Sequence, residues 1–219
     1  MNSPIIQLLV LAGIAVFLIL RLKSVLGTRE GFENPNRPIS DAKPERRHGL
    51  EVIDGGPDLD ITDHVPEDSD AAAALAEMKR AEPSFGVTDF LGGARGAYEM
   101  ILMGFERGNI KELRPFLTDD VYETFAEVVS IREENNLVIE AEFVGVREVE
   151  LTDATFDSGS NKAEVSVKFV GELISVVRDS EGTIVEGEPD KAKRQKDVWT
   201  FERVMGSNDP NWRLVATGE

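Results

Sequence analysis

Residues Ile5–Leu20 form an unbroken apolar run in which Gln7 is the sole polar side chain, and Arg21 and Lys23 close it. No other feature constrains the chain as much. A helix crossing the hydrocarbon core needs about 20 mostly apolar residues. Met1–Leu20 reaches that length if Asn2, Ser3 and Pro4 lie in the headgroup layer. A cleaved signal peptide would carry basic residues ahead of the run and a small-residue cleavage site behind it. Here no base precedes the run, and bases follow it at once. A core helix would show a polar face, and this run shows none. The reading is a transmembrane anchor over residues 1–23, with Ile5, Leu9, Ile14, Phe17 and Leu20 in lipid and Arg21 and Lys23 at its border. The positive-inside bias then puts the N-terminus outside and the remaining chain on the cytoplasmic side of the cell inner membrane.

The net charge of −17 argues against nucleic acid, whose binding rests on neutralising phosphates with Lys and Arg. It also argues against broad adhesion to anionic lipid, except through a local basic patch. There is no cysteine, so disulfides and cysteine-based zinc sites are excluded. From Ser24 to Glu82, Pro35, Pro38, Pro44, Pro57 and Pro66 interrupt any regular pattern, and acidic residues outnumber basic ones two to one. Such a segment buries too little apolar area to offset its ordering entropy. Residues 24–82 therefore read as an acidic flexible tether, with a short helix at Asp70–Arg80 and a small apolar island at Leu50–Asp54.

A folded domain is expected over 83–219. Phe85, Val87, Phe90, Leu91, Ala94, Tyr98, Ile101, Leu102 and Phe105 recur at three- and four-residue steps, predicting a long amphipathic helix capped by Thr88. Gly92, Gly93 and Gly96 inside it allow close packing or a bend. A short helix at Ile110–Leu117 and a third from Thr118 to about Asn136 follow. After Leu137 the period falls toward two. Four strands are predicted, at Val138–Leu151, Ala163–Arg178, Asp197–Met205 and Trp212–Thr217. Three helices followed by a long antiparallel sheet give an α+β fold in which the curved sheet closes over a helix, the cone of the nuclear transport factor two-like superfold. An apolar pocket at its mouth would be lined by Phe90, Tyr98, Leu102, Tyr122 and Phe125.

Several segments fall in an order that resembles a known family: Ser84-Phe85-Gly86-Val87-Thr88-Asp89-Phe90-Leu91, Phe105-Glu106-Arg107-Gly108-Asn109, Leu113-Arg114-Pro115-Phe116-Leu117, Val198-Trp199-Thr200-Phe201-Glu202-Arg203 and Asp209-Pro210-Asn211-Trp212-Arg213-Leu214. The pattern is similar to the Tim44-like domain, found in the mitochondrial import-motor adaptor and in bacterial membrane-anchored relatives. What the resemblance implies is an adaptor that docks protein partners, translocon or chaperone components, at the inner membrane in protein translocation or membrane-protein quality control. The alternative it leaves is a lipid or small-hydrophobic-ligand binding module using the cone pocket. The family's chaperone-recruiting region has no counterpart in this tether.

Catalytic chemistry finds little support in the residues. His48 and His64 both lie in the tether, and no nucleophile elbow, phosphate loop, metal cluster or cofactor motif appears. Tyr98 and Tyr122 fall on apolar stripes, and Asp119-Asp120 reads as helix-start charge. The chain is read as a non-enzyme without cofactor. The basic run Lys191, Lys193, Arg194 and Lys196 stands out in an acidic domain. It reads as a solvated arm ahead of the third strand, or as a contact for anionic lipid or an acidic partner.

Overall fold

Helical periodicity gives way to strand periodicity at Leu137, and the computed structural model, which describes residues 57–218, divides at that point. Helices α1 (Leu59–Thr62), α2 (Asp70–Ala81), α3 (Val87–Glu106), α4 (Ile110–Leu113) and α5 (Asp119–Glu134) precede strands β1 (Val138–Asp157), β2 (Lys162–Arg178), β3 (Ile184–Gly187), β4 (Lys193–Val204) and β5 (Arg213–Gly218). The anchor residues Ile5, Leu9, Ile14, Phe17, Leu20, Arg21 and Lys23 lie outside the described residues, as do His48 and the Leu50–Asp54 island. Among the described residues no helix is long and apolar enough to cross a membrane.

The residues from Pro57 to Glu82, expected as the end of the tether, belong to the same compact unit as the sheet. Ser69 starts α2 by accepting the Ala72 N–H at 3.1 Å, and Leu75 and Met78 are fully buried where α2 packs on β1. The small side chains of Ala71 and Ala72, also buried, let the helix approach closely. The sequence shows this helix, at Asp70–Arg80, but its low overall hydrophobicity hid its packing against the sheet. A narrow stripe of two large and several small apolar residues is enough when the partner is a twisted sheet.

The long helix α3 begins at Gly86, not with a Thr88 cap, and no side chain of its own caps it. The cap comes from α1. The Asp60 carboxylate accepts the N–H groups of Val87 and Thr88 at 2.7 and 2.9 Å while pairing with Lys79 of α2 at 2.8 Å. Gly92, Gly93 and Gly96 meet no neighbour within 4 Å, so they face solvent and are not there for close packing. The contact expected of them falls to Gly104, where a Cβ would stand 2.8 Å from Leu113 of α4.

The sheet is antiparallel in the order β1-β2-β4-β5, with β3 paired to the last residues of β2. Three register shifts along β1, at Phe143/Gly145, Val146/Glu148 and Leu151/Asp153, bend that edge strand. On β2 the alternating Ala163, Val165, Val167 and Phe169 are completely buried. On the opposite face Lys168 pairs with Glu148 and Glu150, both at 2.7 Å, and Lys162 with Glu164 and Glu202, both at 2.8 Å. This two-residue alternation, apolar inward and ion-paired outward, is the antiparallel pattern expected of a sheet with one wet face.

Three strand assignments change. β1, expected to end at Leu151, runs on to Asp157. β4 begins at Lys193 rather than Asp197, so Lys193, Arg194 and Lys196 are strand residues and not a loop ahead of one. The stretch between the second and third expected strands, for which no strand is expected, contains β3. Gly187 ends it at φ +87°, where a Cβ would lie 2.1 Å from the Ser175 carbonyl oxygen, so only glycine closes this turn.

Candidate functional site

The five residues expected to line a pocket pack against other side chains of the domain. Phe90, Tyr98 and Leu102 project from α3 into the core and are buried. The Tyr98 ring stacks on Phe169 at 4.4 Å and lies 4.7 Å from Trp199, while Phe90 packs on Trp212 at 4.6 Å. Tyr122 and Phe125 sit half-buried on α5, beneath the Arg114 guanidinium at 4.4 Å and beside Phe105 at 4.6 Å respectively. Aromatic rings thus fill the space that an empty cone would leave.

Tyr98 carries a polar handle into this apolar setting. Its hydroxyl donates to the Asp197 carboxylate at 2.5 Å, and the Gln195 amide donates to both at 3.1 and 2.9 Å. Burial, reinforced by the Asp197 charge, pushes the phenol well above its usual pKa. Gly171 of β2 makes room, since a Cβ there would stand 2.7 Å from the Tyr98 hydroxyl oxygen. The group is fully satisfied and closely packed, which is the behaviour of a structural hydrogen bond.

A concave surface feature lies elsewhere. A groove of about 630 Å³ runs between the C-terminal half of α3 and the start of β1. Met100, Met103 and Leu113 form its apolar side together with Ala141 and Phe143 of β1; Glu99, Glu112, Glu142 and Arg107 stand along it. Met100 is 39 % exposed, a large apolar residue on the solvent side of the helix. A methionine outside the buried stripe of α3 was a signal in the sequence that pattern reading of the core passes over.

Of the basic run, Lys191 pairs with Glu188 at 2.9 Å and Arg194 with Glu172 at 3.2 Å. Lys193 and Lys196 are exposed on β4. The run is therefore half neutralised by its own surroundings. Among the described residues no group of three or more His, Asp or Glu could hold a metal ion.

Two ion-pair networks tie the N-terminal segment to this frame. Glu82, the residue after α2, receives Arg203 of β4 through both guanidinium Nη atoms at 2.9 to 3.0 Å and accepts the Gly206 N–H at 2.8 Å. Burial pushes its carboxyl up, but the Gly206 N–H and Arg203 together hold it below the usual value. At the other end burial likewise acts upward on Asp60, and Lys79 with the Thr88 and Val87 N–H groups outweighs it, leaving the carboxyl far below the ordinary range. Both partnerships join residues too distant in sequence for local pattern to reveal.

Residues 71–219 match the Tim44-like domain. The chain is 22% identical over 161 residues to the mitochondrial import inner membrane translocase subunit TIM44-1 of Arabidopsis thaliana, covering 71% of this chain and 34% of that protein. It is 24% identical over 150 residues to the corresponding human subunit TIM44, covering 67% of this chain and 33% of that one. The chain thus spans about a third of the length of these relatives. Among solved structures, the intermembrane-space region of chloroplast protein ARC6 overlaps 50% of this chain and 75% of that one at 15% identity and a TM-score of 0.34, too slight a likeness to carry an argument.

Proposed function

The chain belongs to the Tim44-like domain family, and from that premise we propose that it is a non-catalytic adaptor that docks protein partners at an inner membrane, in protein translocation or membrane-protein quality control. The observation that carries this reading is the match of residues 71–219, nearly the whole described domain, to a family whose relatives here are inner-membrane translocase subunits. The site geometry supports it. The phenol and carboxylate that chemistry in such a fold would call on, Tyr98 and Asp197, are spent on each other inside an aromatic core, and the concave feature is an open surface groove. In this reading residues 1–23 anchor the chain with its N-terminus outside, and the acidic segment ahead of Pro57 spaces the domain from the bilayer. The domain itself is a nuclear transport factor two-like cone plugged by its own side chains. Partners are translocon or chaperone components, and Lys193 and Lys196 supply a local contact for anionic lipid.

The test is a truncation leaving residues 1–56, compared with the full chain by cross-linking mass spectrometry on native membranes. The adaptor reading expects the cross-linked partners to disappear with the domain. An unchanged partner set would contradict it.

A further inference from the structure

We infer that the groove between α3 and β1 is a strand-addition site, which takes an extended peptide segment of a partner protein bearing apolar residues alternated with Lys or Arg. This inference rests on the adaptor reading and specifies what the adaptor grips.

Backbone provides the first argument. β1 is an edge strand: its one neighbour is β2, and among the described residues no strand pairs on its other side. Every second residue of such a strand turns its N–H and C=O away from the sheet, and these groups are a template for a further strand. The fold manages this edge unevenly. Past the register shift at Phe143/Gly145, the Arg95 guanidinium of α3 takes the Val146 carbonyl oxygen at 3.0 Å, and two further shifts break the line. Before that shift, Val138–Phe143 holds one continuous register with β2, and no side chain among the described residues is hydrogen-bonded to its backbone. Val138 and Val144, at the two ends of the open stretch, are 57 % and 50 % exposed. Seven residues in extended form measure about 20 Å, room for a six- or seven-residue peptide.

The wall opposite β1 is apolar. α3 lines the groove with Met100 and Met103, flexible and polarisable side chains suited to surfaces that accept varied apolar partners. An edge strand on one side and a helix on the other is the arrangement in which backbone pairing supplies affinity and the groove selects side chains.

Charge fixes the occupant's chemistry. The neighbours of Glu142 on the outward face of the sheet are neutralised: Glu140 by Arg178, Glu148 and Glu150 by Lys168, Glu172 by Arg147 and Arg194. Glu99, Glu112 and Glu142 along the groove have no such partner among the described residues, and Arg107 is the one base beside them. Three unpaired carboxylates on an apolar groove favour a segment whose bases reach them while its apolar residues face the methionines.

The probe is a fluorescein-labelled octapeptide of alternating Val and Lys, titrated by fluorescence anisotropy against the full-length chain in detergent. Its control carries N-methyl groups on every Val, which removes the donors along one edge and leaves all charges. The site expects binding that weakens at least about tenfold on N-methylation, and by a similar factor in Met100→Lys and in Glu142→Lys. Both substitutions are at exposed positions, and circular dichroism checks that each variant is folded; if Met100→Lys is not, Glu142→Lys decides. Equal binding of the N-methylated peptide would reveal attraction to an acidic protein only and overturn the inference. So would displacement of the peptide by phosphatidylglycerol vesicles in the wild type but not in Met100→Lys, which would make the groove a lipid site. A peptide that fails to bind while membrane cross-links from the domain persist sinks the groove alone; loss of those cross-links sinks the adaptor reading as well.

Discussion

The two ends of the same sheet have been built to different standards. At the end near the β1–β2 turn, Val165, Val167, Phe169 and Phe201 are sealed by helices α2 and α3, and Leu151 and Ala154 of β1 join them. At the other end the first eight residues of β1 include no buried side chain, although Ile139, Ala141 and Phe143 follow the same inward alternation. The sequence pattern is equally apolar in both places; what differs is the cover. One end is closed by α2 and its ion pairs, and the other is left as a groove. Stability should therefore concentrate at the turn end and binding at the groove end.

The largest effect expected follows from truncating the sealed core. Phe169→Ala should cost about 3–5 kcal/mol in urea-induced unfolding, whereas Phe143→Ala, half-exposed beside the groove, should cost less than half as much. Similar losses at both positions would erase the distinction between the ends. Next in size is the clasp that holds α2. Arg203→Ala leaves the Glu82 carboxylate with the Gly206 N–H and a long contact from the Ser84 hydroxyl, and should cost about 2–3 kcal/mol, less than a fully buried pair because Glu82 retains some solvent contact. A cost near zero would mean that α2 is held by apolar contact only.

At the boundary between the two ends, Gly171→Ala pushes a methyl group against the Tyr98 hydroxyl and should destabilise by about 1–3 kcal/mol. The same substitution in a Tyr98→Phe background should cost less, because the nearest atom is gone; strict additivity in a double-mutant cycle would contradict the packing described. Smallest is the Asp60 cap. Asp60→Ala should lose about 1 kcal/mol. Because the folded carboxyl lies below its ordinary 3.8, its contribution is complete above that pH and is lost as the pH falls further. The wild type should therefore lose stability more steeply than the variant below about pH 4, and parallel acid unfolding curves would show the cap to be idle.

Local periodicity made the major elements legible. α3 and α5 follow from apolar residues at three- and four-residue steps, and β1 and β2 from the glutamates that alternate with Val, Ala and Phe. What escaped was set by partners far along the chain. Asp60 lies 27 residues before the Val87 N–H it caps, and Glu82 lies 121 residues before Arg203. Neither α1 nor the Pro-flanked stretch around it has a period that would announce burial, so residues 57–82 read as tether. β3 was missed because four residues closed by Gly187 make too short an alternation to stand out. The packing of the expected pocket residues escaped for a related reason: a helical stripe shows which side chains point inward, but not what the sheet opposite places against them, as Phe169 and Trp199 do against Tyr98. The groove depends on an edge strand, and no sequence period marks which strand of a sheet lacks a neighbour.

Amide hydrogen exchange on the full-length chain, with and without the Val-Lys octapeptide, tests this division of labour most directly. The account predicts slow exchange throughout Val165–Phe169 in both states, and rapid exchange within Val138–Val144 that becomes protected when the peptide binds. Protection that falls instead on the Lys193–Lys196 strand, or no change along Val138–Val144 at saturating peptide, would contradict it.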